Sequence, residues 1–258
     1  MSMTGQLMDR VAIITGGGRG IGRALALGFA QQGAKVLVAA RTEVEIQETA
    51  EMICAADGEA VAVVVDVSRS EDVQRMVEAV EREWHRLDIL VNNAGVGGPE
   101  GLIQDLSMDN VDNTLAINVR GPFLCSRAVV PLMLAQGGGN IINVSSGAGQ
   151  RKARSKVRSL PYQISKFALE GLTNGMAVQF RERSINVNAL QPGRIATRIN
   201  RVTPTEWKPG PKMGEPEEVV PAALFLAGLS PGAMTGFSLE AQRFNRGFRP
   251  ELRDYTVD

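Results

Sequence analysis

The chain has 258 residues, 44% of them hydrophobic, and 28 basic side chains balance 28 acidic ones, so it carries no formal net charge. That length suits one α/β domain with a continuous core, and the balanced charge excludes a global field drawing the chain to nucleic acid or to an anionic membrane surface. No apolar run approaches the roughly 20 residues of a membrane span, and the first ten residues show no leader pattern. With Cys54 and Cys125 far apart, the expectation is a soluble chain in a reducing, cytoplasmic setting.

Short β-branched runs alternate with longer amphipathic stretches, the rhythm of a parallel sheet covered by crossover helices. The first strand is expected at 11–15, and a glycine-rich turn from Thr15 to Gly22 opens a helix over 21–32. A strand at 35–39 and a helix at 43–56 follow. The third strand, at 60–65, contains Val61-Ala62-Val63-Val64-Val65 and reads as buried on both faces. Next come a helix at 70–84, a strand at 89–92, one long helix over 108–136 and a strand at 140–144. His85 falls where the 70–84 helix ends, as a neighbour of its C-terminal cap. Beyond a densely basic stretch at 150–158, the pattern gives a helix at 161–183, a strand at 185–190 and a loop rich in proline and glycine at 203–216. A helix at 216–226, with Glu217 and Glu218 favourably near its N-terminus, precedes a seventh strand at 237–241. The fold class is therefore α/β, a Rossmann-like, doubly wound, seven-stranded parallel sheet with helices on both faces. The whole of 1–258 is expected to be one domain, with 245–258 as a tail.

The run Gly16-Gly17-Gly18-Arg19-Gly20-Ile21-Gly22 lies between a strand and a helix, where glycine serves three needs. The chain must turn sharply, its backbone must approach a pyrophosphate without a Cβ in the way, and the helix must lie close to the sheet. The free amides at that helix N-terminus attract phosphate oxygens. A plain tight turn is the alternative, and the flanking strand and helix argue against it.

The spacing TGxxxGxG resembles that of the short-chain dehydrogenase/reductase family, and further matches run in order from about residue 8 to residue 236. Asn92-Asn93-Ala94-Gly95 follows the fourth strand, Asp66 and Val67 follow the third, and Asn118 stands in a helix. Tyr162-Gln163-Ile164-Ser165-Lys166 matches YxxxK, and the segment from Asn188 to Thr197 resembles the one that grips the nicotinamide half of the cofactor. Within the family the chain resembles 3-oxoacyl-thioester reductase-like members, with a different ketone or alcohol substrate as the nearest alternative. The resemblance implies a hydride exchanged between a nicotinamide and a small-molecule carbonyl or alcohol, in a homodimer or homotetramer. It places Gly16, Gly18, Arg19, Gly20, Ile21 and Gly22 at the pyrophosphate and Asp66 and Val67 at the adenine. Asn93, Ala94 and Gly95 line the groove, and Pro192, Gly193, Ile195 and Thr197 hold the nicotinamide end.

Cofactor choice turns on the end of the second strand. A carboxylate there would accept hydrogen bonds from the ribose hydroxyls and repel a 2′-phosphate. This sequence instead has Ala40, then Arg41 and Thr42. The Arg41 guanidinium can fork onto phosphate, with Arg19 as a second cation, so NADP(H) is the expected cofactor.

Tyr162 and Lys166 are four residues apart, on one face of the expected helix. A lysine cation beside the phenol favours its ionised form, and by resemblance Tyr162 passes the proton while Lys166 also holds the nicotinamide ribose. Ser146, at the end of the fifth strand, would polarise the substrate oxygen, with Ser145 as the adjacent alternative. By the same resemblance Asn118 holds a water in a proton relay from the lysine. These four are the expected catalytic residues, and no metal is called for. The main rival is a non-catalytic NADP-binding protein.

Three features depart from the family pattern. Fifteen residues separate Ser146 from Tyr162, about three more than usual, and they include Arg151, Lys152, Arg154, Lys156 and Arg158. The stretch from 197 to 216, where the family has its substrate lid, is short and proline-rich. After Thr235-Gly236 the usual Asp-Gly-Gly is missing.

Overall fold

The structure is a computed structural model, and it describes residues 5–150, 159–197, 199 and 213–250. Seven parallel strands form one sheet: β1 Val11–Thr15, β2 Lys35–Ala40, β3 Ala60–Val64, β4 Ile89–Asn92, β5 Gly139–Val144, β6 Ile185–Gln191 and β7 Ser238–Glu240, in the order β3-β2-β1-β4-β5-β6-β7. The helices are α1 Gly20–Ala30, α2 Glu43–Cys54, α3 Ser70–Trp84, α4 Met108–Leu115, α5 Gly121–Ala135, α6 Leu160–Phe180, α7 Val220–Ala227 and α8 Ala241–Asn245.

Alternation along the strands divides the core into two layers. Ala12 and Ile14 of β1, with Val36 and Val38 of β2, pack beneath α1 and α7. Val11 and Ile13, with Leu37 and Ala39, face the opposite layer of α3, α5 and α6. Both faces are dry, which is why the central strands can be apolar at consecutive positions. The reading of 60–65 as buried on both faces does not hold. β3 is an edge strand, its residues are half-buried, and Val64 is 45% exposed.

Four asparagines interrupt the apolar runs of β5 and β6, each amide group donating to a backbone carbonyl or to another side chain. Asn140 Nδ2 donates to the carbonyls of Ala227 and Leu229, and Asn186 Nδ2 donates to Asn140 Oδ1 and to Ser230. Asn188 Nδ2 donates to the Met234 carbonyl, and Asn143 Nδ2 to Thr173 Oγ1. Buried amides so paired fix the path of the chain from α7 to β7, because a misplaced segment would leave them unsatisfied.

The long helix expected over 108–136 is continuous but not uniform. Between α4 and α5 the residues Ala116–Arg120 form one π turn, in which Gly121 donates its N–H to the Ala116 carbonyl five residues back. Pro122 supplies one cause: without an N–H it cannot make the α-helical bond to the carbonyl of Asn118, four residues earlier. His85 ends α3 in the left-handed region at φ 54°, its N–H donated to the Glu81 carbonyl. Helix α8 was not foreseen, and it occupies part of what reads in sequence as strand end and tail.

The strand order reverses direction between β1 and β4. Open α/β sheets bind ligands outside the carboxyl ends of the strands at such a point.

Candidate active site

The glycine turn leaves β1 at this switch point. Gly16 and Gly20 have φ of +65° and +52°, values that a side chain disfavours. Gly22 is the most constrained, since a Cβ there would run into the Gly16 carbonyl oxygen and come within 2.5 Å of Asn93 Nδ2. A Cβ on Gly18 would meet Glu45 at 2.9 Å. Arg19 precedes α1 without capping it by a side-chain bond, so no side-chain cap competes with an anion for the first-turn amides. Ile21, half-buried, packs against the core layer under α1. A cradle that any Cβ would fill, at a helix N-terminus, fits a dinucleotide pyrophosphate.

Asn93 braces this cradle. Its Nδ2 donates to the carbonyls of Thr15 and Gly16, while the N–H groups of Asn93 and Ala94 donate to Thr15 Oγ1. Thr15 in turn donates to the Val91 carbonyl, locking the ends of β1 and β4 together. The sequence reading missed Thr15. Asp66 Oδ1 accepts from the N–H and the hydroxyl of Ser68, and Val67 is buried against Gly121. Its side chain therefore belongs to the α5 packing.

Arg41 is exposed just beyond β2 and has no ion pair among the described residues, whereas Arg19 donates to both carboxylate oxygens of Glu45, at 3.1 and 3.3 Å. Thr42 is the N-cap of α2, in extended conformation, and its hydroxyl caps nothing.

At the other end of the groove, Pro192 is buried and Gly193 has φ +86°, where a Cβ would meet the Gln242 side chain of α8 at 2.6 Å. The Ile195 side chain is core, not groove. The Thr197 methyl lies 3.4 Å from where a Cβ of Gly20 would stand, which brings this segment across the cradle. The basic residues 151–158 and most of the expected lid lie outside the described residues.

Helix α6 begins with Ser159 as its N-cap, whose Oγ accepts the Tyr162 N–H at 3.3 Å, and Pro161 sits in the first turn. This is the residue type a helix start prefers at each position, and it fixes where Tyr162 leaves the helix. Ser159→Ala is expected to cost about 1 kcal/mol of stability and to lower kcat more than cofactor affinity. A denaturant melt and a cofactor titration on the same sample check both.

Lys166 is buried, its Nζ 5.6 Å from the centre of the Tyr162 ring and donating to the Val144 carbonyl at 2.8 Å. Burial pushes its ammonium down to about 8, and Glu170 pulls the other way. Val144 lies two residues before Ser146, so this bond ties the lysine to the strand that carries the serine. A Cβ on Gly149 would meet the Lys166 carbonyl at 2.6 Å, so the turn after Ser146 lies flat on α6.

The two serines face different surroundings. Ser145 is 3% exposed and its hydroxyl finds no partner among the described residues, whereas Ser146 is half-buried and accepts the Ala148 N–H at 3.1 Å. A hydroxyl that accepts still has its proton to donate.

Asn118 lies in the π turn, 1% exposed. Its Oδ1 accepts the Val96 N–H, and its Nδ2 donates to the Val96 carbonyl and to Ser165 Oγ. Ser165 donates to the Tyr162 carbonyl at 2.7 Å. Both amide protons of Asn118 are thus used in holding the loop after β4 against α6. Gly95, in that loop, would place a Cβ 3.3 Å from Asn118 Oδ1.

Comparison with known proteins bears on this geometry. A family model described as short chain dehydrogenase matches residues 10–207. The chain is 40% identical over 241 residues to an uncharacterized oxidoreductase of Thermotoga maritima, covering 88% of this chain and 93% of that one. It is 34% identical to a 3-oxoacyl-[acyl-carrier-protein] reductase of Synechocystis, covering 86% and 90%. A solved structure of a candidate NAD(P) dependent gluconate 5-dehydrogenase from Beutenbergia cavernae, with bound NADP at low occupancy, superposes with TM-score 0.78 at 32% identity, covering 93% and 97%.

Proposed function

The chain belongs to the short chain dehydrogenase family, and we propose that within it this protein is an NADP(H)-dependent oxidoreductase acting on a carbonyl or secondary alcohol, with a ketone or 3-oxoacyl thioester reduced by NADPH. The observation that carries the reading is the buried Lys166, bonded to the strand of Ser146 and one helical turn from Tyr162. The Synechocystis relative supports the substrate class.

When bound, NADP(H) supplies or accepts the hydride. Around the reacting oxygen, this chain's residues hold and move the proton. Ser146 donates its remaining proton to the substrate oxygen, and Tyr162 gives its phenolic proton as that oxygen gains charge. The Lys166 cation stabilises the phenolate left behind. Asn118 acts through its backbone: Pro122 denies its carbonyl the helical donor, leaving an acceptor for a water that resupplies the proton.

The cofactor preference rests on Arg41. Arg19 is already paired with Glu45, so its contribution to a 2′-phosphate is discounted by the cost of breaking that pair. Arg41→Ala should weaken NADPH about 10–100-fold, the loss of one or two charge-assisted hydrogen bonds, and leave NADH nearly unchanged. Fluorescence titration with both nucleotides measures this. Tighter binding of NADH than of NADPH by the wild type would contradict the assignment. The bound NADP of the Beutenbergia structure supports it. A homodimer or homotetramer in the cytoplasm completes the reading, and among the described residues no helix is long and apolar enough to cross a membrane.

A further inference from the structure

We propose that Glu170 is a positioning residue for the reaction, a carboxylate fixed one helical turn beyond Lys166 that keeps the buried lysine charged. The two residues stand at i and i+4 on α6, neighbours on one helix face. Glu170 Oε1 accepts from Ser238 Oγ of β7 at 3.1 Å and from Gln191 Nε2 of β6 at 3.5 Å. Gln191 Nε2 also donates to Ser238 Oγ, and Gln191 Oε1 accepts from Gln150, just beyond the turn that Ser146 caps. This network joins the ends of β6 and β7, the serine turn and the lysine helix. Its other members are neutral, so they orient the carboxylate without cancelling its charge.

No other described charge competes for that role. β5 offers Lys166 the Val144 carbonyl, the turn Gly147–Gly149 carries no ionisable side chain, and the titratable neighbour on α6 is Tyr162. Arg120 of the π turn reaches away to the Ser68 carbonyl. Asp109 and Asp112 of α4, and Arg181, Glu182 and Arg183 past the far end of α6, are exposed. In a dry site an ammonium loses its proton unless a counter-charge is held near it. Burial brings Lys166 down to about 8 and Glu170 opposes the fall, so removing the carboxylate lowers the value further.

The inference rests on Lys166 serving the phenol as proposed above, and the test separates the two. The chain has six lysines, so ¹³C-lysine NMR of the cofactor-free protein can follow each titration, with Lys166→Arg identifying the signal. Glu170→Gln, which keeps an acceptor but drops the charge, should lower the Lys166 midpoint by about one pH unit, with Glu170→Asp falling between. The alkaline limb of kcat/KM for carbonyl reduction should move down in step. An unchanged midpoint in Glu170→Gln, whatever happens to kcat, would overturn the proposal. If that variant lacks a folded spectrum, Glu170→Asp decides by the same criterion. A midpoint that shifts while the pH profile stays put would leave the coupling standing and overturn the role of Lys166 in the reaction.

Discussion

Tyr162→Phe is expected to bind NADPH as the wild type does and to lose turnover by a factor of about 10²–10⁴, the usual contribution of a positioned general acid. The ring packs at the start of α6 and is placed by a backbone bond to Ser159 that phenylalanine also makes. The substitution therefore removes a proton and leaves the cradle at β1 and β4 intact. A fall in kcat and kcat/KM together, with cofactor affinity constant, is the signature of an interaction made in the transition state. Near-wild-type reduction of a verified ketone by the variant would remove Tyr162 from the proposed chemistry.

Gly22→Ala has the second large effect, and it acts on the scaffold. The added methyl would collide with the Gly16 carbonyl and with the Asn93 amide that braces both strands. The first is backbone and the second is a side-chain end pinned by two hydrogen bonds, so the glycine turn itself must shift. Overpacking of this kind costs about 3 kcal/mol, and for a domain of this size that lowers Tm by roughly 6–12 °C. Cofactor affinity should fall as well, because the same shift moves the amides of α1 off the phosphate. Calorimetry with and without NADPH checks both, and an unchanged Tm would mean that the turn has slack which the distances deny.

The strands and most helix starts were legible because each rests on local chemistry. β1, α3 and β4 begin and end where the sequence pattern puts them. Such boundaries follow from β-branched runs, glycine and acidic first turns, all visible in one dimension. What escaped depends on neighbours distant in sequence. The run Val61–Val65 looks like a central strand, and nothing in it reveals that no further strand pairs with it. Asn140, Asn186 and Asn188 look like breaks in apolar strands until the chain past α7 returns to use their amides. The π turn could have been suspected from Pro122, whose missing N–H falls four residues after Asn118, but its partner Val96 could not.

At the candidate site the same division holds. Tyr162, Lys166, Ser146 and Asn118 stood out by spacing and resemblance, and the structure brings their elements together through bonds that no motif describes. Ser165 lay inside the motif and Ser159 just before it, the latter with a capping pattern of serine and proline that could have been read. Glu170 and Gln191 carried no sequence signal, because their meaning comes from β6, β7 and α6 meeting at one point. For Ser145 and Ser146 the choice needed alternation: one hydroxyl is buried without a partner among the described residues, and its half-buried neighbour accepts the Ala148 N–H.

The central claim is that this chain transfers hydride from a nicotinamide to a carbonyl carbon whose oxygen takes the Tyr162 proton. Incubation of the wild type with NADPH bearing deuterium at the transferable position and a panel of ketones and 3-oxoacyl thioesters, followed by mass spectrometry of the products, tests it most directly. The account predicts an alcohol carrying one deuterium at the carbinol carbon, formed with NADPH in preference to NADH and abolished in Tyr162→Phe. Tight NADPH binding with no labelled alcohol from any substrate, and no oxidation of secondary alcohols by NADP⁺, would contradict it and identify a protein that binds the dinucleotide without turning it over.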